Sequence, residues 1–448
     1  MKFSRLLVAG LVLAGGSFVQ AFAQDVVTVE KLYPELDNIL KQAVAQSPRM
    51  LSRAIDLEIA ENDRIAARAG LLPTVGGAFR YYEARERRAD LGVRMSVPKT
   101  YYDFSISQPL YHWGERMNTA RMGEIREFIA QGNYREGYRL FAQEVRNAYL
   151  KLIVDKLRAK RTAYALDYAN NQLKQGEERL AQKVISDGQM FVIRIDAERA
   201  QVTAERAAFE FENGLASFAR LTGTALQAGA VPEVIPSVTD QASTLNSLVQ
   251  GYLAQTELPS YEAVSLRNSL DLERLNLANH KTRLKPKFSL VAGANQDEQR
   301  YSALGSKYKV DSYYAGISVG WTIFDGFSAR SAVRSSLARL RNMESDYRVL
   351  TDRLAQLAQT QARLAGFAAR SAAINNKLLE SAEGNLSEKT EQFSRGAVSQ
   401  EQVSLAQLNL YDMRLTAYLS RIEYFSYVGE LLGTVREDPV LANLPAGK

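Results

Sequence analysis

Two spacings of apolar residues take turns along this chain. Tyr102, Phe104 and Ile106 fall on every second position, with Asp103, Ser105 and Ser107 between them. Ile317, Val319, Trp321 and Ile323 alternate in the same way with Ser318, Gly320 and Thr322. A period of two with one apolar and one small polar face predicts half-buried strands. We place four strands, at 74–82, 101–110, 287–295 and 313–323. A membrane barrel demands the same pattern, apolar to lipid and polar to lumen. The candidate lipid-facing residues are then Phe79, Tyr81, Phe104, Ile106, Ile317, Val319 and Trp321. Tyrosines crowd the strand ends (Tyr81, Tyr82, Tyr101, Tyr102, Tyr313, Tyr314), where interfacial girdles of aromatics lie in such barrels. The connectors inside each pair, Glu83–Lys99 and Gln296–Asp311, are long and charged.

Elsewhere the apolar steps are four and three. Tyr134, Tyr138, Phe141, Val145, Ala148 and Leu152 form one such row, and Tyr347, Leu350, Leu354, Leu357, Gln361 and Leu364 form another. Sustained heptads predict coiled-coil packing. The segments Glu115–Lys183 and Phe327–Arg395 each span on the order of 100 Å if unbroken. A shorter helix is predicted over Leu36–Ala69, ending ahead of Pro73.

The chain repeats itself. An offset of 213 carries Pro73 onto Pro286, Phe104 onto Ile317, Ser186 onto Ser399 and Gln189 onto Gln402. We read residues 24–224 as a first repeat, 225–244 as a linker, 245–434 as a second repeat and 435–448 as a tail. Each long helix is expected to turn at a matching tip, near 183–189 and 395–402. Both tips carry Ser-x-x-Gln, the sequence of a capping box that starts a new helix. The return helices are expected to stop at glycine, in Leu221-Thr222-Gly223-Thr224 and Leu431-Leu432-Gly433-Thr434. The fold class expected is mainly α, with long coiled-coil hairpins and four strands per chain. Four strands cannot close a membrane barrel, since the smallest have about eight. An open edge in lipid is prohibitively costly. Strands in a membrane therefore call for an oligomer, and a trimer gives a twelve-stranded barrel.

Composition changes the picture at three points. Lys2 and Arg5, the apolar run Leu6–Val19 and Ala21-Phe22-Ala23 have the build of a secretory signal peptide, so 1–23 are excluded from fold reasoning. The net charge of +6 falls to +4 without them, and acids and bases are interspersed, which argues against a nucleic-acid partner. Cysteine is absent, which removes disulfides and thiolate metal sites. The two histidines, His112 and His280, lie far apart, and no nucleophile elbow or ligand-spaced cluster occurs. No catalytic, cofactor or metal site is expected, and no enzyme activity.

The order of these parts resembles the TolC-type outer membrane factors. Gln108-Pro109-Leu110-Tyr111-His112-Trp113-Gly114 and Thr322-Ile323-Phe324-Asp325-Gly326 are similar to that family's strand-to-helix junction. Arg395-Gly396-Ala397-Val398-Ser399 is similar to its glycine-started periplasmic turn. The resemblance implies a homotrimer in the outer membrane, reaching into the periplasm as the channel of a tripartite efflux or type I secretion system. Its partners would be a periplasmic adaptor (membrane fusion) protein, an inner-membrane pump and outer-membrane lipid. By resemblance, Val184, Ile185, Ser186, Gly396, Ala397, Val398 and Ser399 form adaptor-docking tips. Asp187, Gln189, Glu401, Gln402 and Leu405 surround the periplasmic entrance. The family's best-known acidic constriction positions match Gln402 and Leu405 here, and neither is acidic. The competing reading is a soluble periplasmic coiled-coil scaffold, which accounts for the heptads but not for the strand pairs and their tyrosines.

Overall fold

A computed structural model describes residues 26–87, 94–238, 241–301 and 306–444. The expected signal peptide and the crowns of both strand connectors lie outside the described residues. The elements run α1 (Val29–Leu32), α2 (Pro34–Gln46), α3 (Pro48–Ala69), β1 (Thr74–Arg87), β2 (Arg94–Tyr111), α4 (Glu115–Ala181) and α5 (Asp187–Thr222). They continue with α6 (Ala242–Leu253), α7 (Tyr261–Thr282), β3 (Lys287–Tyr301), β4 (Ser306–Gly320), α8 (Ser328–Ser394) and α9 (Gln400–Val435). Helices α3 and α7 have 22 residues each, α4 and α8 have 67, and α5 and α9 have 36. Each pair starts 213 positions apart, the offset of the sequence repeat.

The expected helix over Leu36–Ala69 is broken in two. Ser47 is extended (φ −69°, ψ 126°) because Pro48 follows it, and α3 begins on that proline. Proline lacks an N–H and keeps its predecessor out of the helical region, so it opens helices and does not continue them.

The chain divides into two compact units. One comprises the residues up to Ile55, Gly132–Val264 and those from Val349 on; the other comprises Asp56–Gln131 and Ser265–Arg348. In the first unit the heptad row of α4 is the core. Tyr138, Phe141 and Val145 are fully buried and Leu152 nearly so, packed with Leu36 and Leu40 of α2, Leu248 and Tyr252 of α6, and Phe425, Val428 and Leu431 of α9. The row expected in α8 is shifted. Leu357 is exposed, and the buried row is Leu354, Ala358, Gln361, Ala365, Ala368 and Ala372, with Ala362 and Ala369 buried beside it. These keep the four-three step but are mostly alanine, which lets backbones approach. Gln361 is tolerated among them because its amide oxygen accepts a hydrogen bond from Thr434 (2.8 Å).

Gly223 caps α5 in the left-handed region (φ 78°), and a Cβ there would meet the Gln46 carbonyl oxygen at 2.8 Å. Gly433 does not cap α9. The helix runs on to Val435 and is capped by Arg436 (φ 63°), the residue 213 positions after Gly223. Gly429 and Gly433 lie one turn apart, and a Cβ on either would collide with Gln143 and Arg139 of α4. These glycines serve helix packing, not termination.

Both ends of the described chain are tied into this unit. Arg146 is buried and makes two 2.8 Å hydrogen bonds to Asp438 and an ion pair to Glu30. Burial alone would favour a neutral guanidinium, but the two carboxylates outweigh it and raise its pKa. Asn443 donates to Asp37 (3.0 Å), and Val440 and Leu444 are buried. The segment before α6 is also fastened: Lys156 donates to the Val231 carbonyl (2.6 Å), Tyr33 to that of Val234 (2.7 Å) and Tyr418 to that of Glu233 (3.1 Å).

Candidate functional site

In the second unit the four strands form one antiparallel sheet in chain order, with an unpaired edge on β1 and another on β4. Residues paired across antiparallel strands share a face, so the register sorts the side chains. Val75 pairs with Ile106, Gly77 with Phe104 and Phe79 with Tyr102. Phe104 and Ile106 continue to Ala294 and Ala292, and Ala294, Ala292, Leu290 and Phe288 pair with Tyr313, Ala315, Ile317 and Val319. One face is therefore apolar across all four strands. The other carries Thr74, Gly76, Ser105, Ser107, Gly293, Ser289, Ser312, Gly316 and Ser318, with Arg80 and Asp103 among them, and also Val291 and three of the six strand-end tyrosines, Tyr82, Tyr101 and Tyr314. The apolar face is bare within the chain: Phe79 is 71% exposed, Tyr81 69%, Tyr313 82% and Ile317 66%.

Six of the seven expected lipid-facing residues lie on strands of that face. Trp321 follows the end of β4, which stops at Gly320 and not at 323. Toward the connectors the strands run further than expected, to Arg87 and from Arg94 in the first pair. Alternation stops being apolar and polar there, so the pattern carried no signal for it.

A bulge re-aims the end of β2. Pro109 pairs with Ser289 and Tyr111 with Phe288, leaving Leu110 as the extra residue. Proline has no N–H for the ladder, and the slip puts Tyr111 on the apolar face beside Phe288. Gln108 sits on the apolar face as well, and its amide donates to the Leu71 carbonyl (3.0 Å). In the second half Trp321 donates its indole N–H to the Leu284 carbonyl (2.9 Å). Acceptors and donors are each 213 positions apart, so two different side chains satisfy the same carbonyl ahead of each strand. Two consecutive left-handed residues then lead into each long helix, Trp113 and Gly114 (φ 54° and 82°), and Gly326 and Phe327 (both 65°). His112 approaches Ser289 (3.3 Å), a structural contact. Among the described residues no His, Cys, Asp or Glu cluster could hold a metal ion.

The hairpin tips belong to the first unit. At the first, the Val184 N–H reaches the Arg179 carbonyl and the Lys183 N–H that of Leu180, both at 2.8 Å. The second repeats this with Ala397 to Gln392 and Gly396 to Phe393, both at 2.9 Å. Each is a left-handed helix stop with the chain reversing after it. Ser186 and Gln189 form the full capping box: the serine oxygen accepts from the Gln189 N–H (3.3 Å), and the Gln189 side chain accepts from the Ser186 N–H (2.9 Å). At Ser399 the serine arm is formed, to the Gln402 N–H (3.4 Å). Val184, Ser186, Gly396, Ala397 and Ser399 are exposed, while Ile185 and Val398 are half-buried.

Of the expected entrance residues, Asp187 and Glu401 occupy the first turns of α5 and α9, where a carboxylate opposes the positive helix end. Gln189 and Gln402 are exposed, and Leu405 is 49% exposed. Glu401 also accepts a hydrogen bond from Tyr168 of α4 (3.2 Å). Burial first, then this carboxylate, raises the Tyr168 pKa. Further along, Arg161 of α4 grips Asp412 of α9 through two hydrogen bonds of 3.0 and 3.2 Å, and Arg414 bonds Glu383 of α8 (3.2 Å). The first two pairs are more than two hundred positions apart in the chain and the third 31, and no local motif announces them.

The arrangement of sheet and hairpins recurs in solved membrane channels. Over 90% of this chain and 85% of that one, it superposes on the Campylobacter jejuni CmeC outer membrane channel with a TM-score of 0.70 and 13% identity. The chain has the fold of an outer membrane channel. The Vibrio cholerae outer membrane protein VceC gives 0.65 at 13% identity, covering 90% of this chain and 96% of its own. The open-state Neisseria gonorrhoeae MtrE outer membrane channel gives 0.61 at 14%, covering 90% and 89%. Residues 39–186 match the outer membrane efflux protein family model. A search of curated proteins finds no match in sequence. The resemblance read from the sequence thus holds in sequence over α2 to the first tip and in fold over nine-tenths of the chain.

Proposed function

We propose that this chain is the outer-membrane duct of a tripartite efflux or type I secretion system, exported by removal of residues 1–23 and acting without turnover of any substrate. The observation that carries the reading is the bare apolar face of a sheet with two open edges. In water such a face is an aggregation hazard, and in lipid its open edges are too costly unless paired. Pairing β4 of one copy with β1 of the next satisfies both, and three copies give twelve strands.

The dimensions agree. From Tyr102 to Tyr111 the strand spans about 30 Å, or about 23 Å of height at a tilt of roughly 40°. The apolar band of an outer-membrane barrel is roughly 25 Å tall. The aromatics bracket it, with Tyr81, Tyr102 and Tyr313 toward one end and Tyr111, Phe288 and Trp321 toward the other. On this reading the hairpins extend into the periplasm, where Val184–Ser186 and Gly396–Ser399 dock an adaptor coupled to an inner-membrane pump. The first turns of α5 and α9 form the entrance, with Glu401 held by Tyr168.

The test is extraction from outer membranes followed by mass measurement in detergent. A trimer that resists salt and carbonate washing is expected. A monomer released with soluble periplasmic protein would instead favour a coiled-coil scaffold.

A further inference from the structure

The connection from β4 to α8 is more apolar than a turn requires. Trp321 is 60% exposed, Ile323 74%, Phe324 69% and Phe327 66%, and none of the four lies in a strand or helix. The segment is nevertheless built. Trp321 is pinned to the Leu284 carbonyl, Phe324 and Phe327 meet edge to face at 5.4 Å, and Asp325 accepts from the Ala329 N–H (2.8 Å). Holding Phe327 at φ 65° costs on the order of 1 kcal/mol, so the ring is displayed against a backbone preference.

Bases surround it. Arg283, Lys285, Arg116 and Arg330 are exposed and Lys287 half-buried, against the carboxylates Asp325 and Glu115. Both acids are already engaged, Asp325 with Arg283 (3.5 Å) and Glu115 with Lys287 (2.5 Å). Lys285 lies over the Trp113 ring, 4.4 Å from its centroid, which holds its ammonium at the level of the aromatics. The patch thus continues the sheet's apolar face and ends in uncompensated positive charge.

We infer that this connection and its flanking bases form a collar that binds anionic glycerophospholipid headgroups in the periplasmic leaflet. This rests on the membrane reading above. The aromatic side chains seat among the acyl-chain ends, and Lys285 and Arg330 meet the phosphates. A zwitterionic lipid offers a phosphate to the cations but no net negative charge, so it would satisfy the rings and leave the excess positive charge of the patch unbalanced.

Trp113 and Trp321 are the chain's only tryptophans, so its fluorescence reports on this level. A Trp113→Phe variant leaves Trp321 as the sole tryptophan, read by exciting where the tyrosines do not absorb. The full chain in phosphatidylcholine vesicles would be titrated with brominated phosphatidylglycerol or brominated phosphatidylcholine. One cation near an anionic surface favours an acidic lipid by about five-fold. We expect the glycerol lipid to quench at several-fold lower mole fraction, and the preference to vanish in Lys285→Gln/Arg330→Gln while quenching by both lipids persists. Equal quenching by the two lipids in the parent would overturn headgroup recognition and leave the duct standing. A preference that survives the double substitution would overturn its assignment to these bases. No quenching by either lipid would remove the sheet from the bilayer, and the duct reading with it.

Discussion

Lys183 occupies a backbone conformation that suits glycine. Its φ is 59°, and the residue 213 positions later, at φ 74°, is Gly396. A side chain in this region costs about 1 kcal/mol, partly offset by the entropy a glycine loses on folding. Lys183→Gly should therefore slow amide exchange at Lys183 and Val184 by a few-fold without moving the exchange of α4's buried turns. Faster exchange would mean that the lysine side chain stabilises the turn. A second residue, Asp37, ties the C-terminal segment through Asn443. Burial favours its neutral form, but hydrogen bonds from Lys41 and Asn443 outweigh that and lower its pKa. A depressed folded-state pKa stabilises above the ordinary Asp value and loses that contribution as pH falls through the folded one. With a dye on Ala442→Cys, anisotropy should hold above pH ~4 and drop below it. Asp37→Ala should start lower and show no such transition. An unchanged transition in that variant would assign the acid response to another group.

Among elements, legibility followed the range of the signal. The alternation in β2, the four-three row of α4 and the two Ser-x-x-Gln starts are local patterns that the structure realises, and the alternation over 317–323 is realised as far as Val319, because β4 ends at Gly320. The break at Pro48 is equally local, since proline keeps Ser47 extended, yet the helix expected over Leu36–Ala69 runs through it. Gly433 shows the other limit. A glycine near a helix end resembles a stop, yet what decides its role is Arg139, almost three hundred positions away. The same holds for Ala358 and Ala365, whose burial depends on which helix lies opposite. Glu401 could be placed at an entrance by resemblance, but its Tyr168 partner could not. The packing role of Gly433 is testable. Gly433→Leu should lower stability by about 1–3 kcal/mol through overpacking, whereas Gly433→Ala should cost less, because the atoms it displaces are the flexible end of Arg139. Thermal midpoints of the detergent-solubilised protein distinguish the two cases. Equal, negligible effects would show that α9 and α4 have room to separate.

At the scale of the whole molecule, the sheet is incomplete by its own chemistry. β1 and β4 each present unpaired N–H and C=O groups along one edge, while Phe79, Tyr313 and Ile317 leave no doubt that the adjoining face is apolar. The first and last strands run antiparallel to each other in the sheet order, so copies can join edge to edge around an axis without reversing direction. Because the chain has no cysteine, the joint can be probed with no native thiol to remove. Ser312→Cys on β4 would be combined in turn with cysteine at Thr74, Gly76, Ala78 and Arg80 of β1, all on the polar face. Within one chain β2 and β3 separate these positions, so an oxidative bridge between them must join two copies. Strand tilt displaces the partner along β1 by several residues relative to the Ala78–Asp103–Asn295–Ser312 row, so one pairing should dominate the series. That pairing should give dimer and trimer bands and nothing larger, since a closed ring of three has no further edge to offer. A ladder extending past trimer would mean an open or larger assembly, and absence of bridging throughout the series would mean that β1 and β4 do not meet.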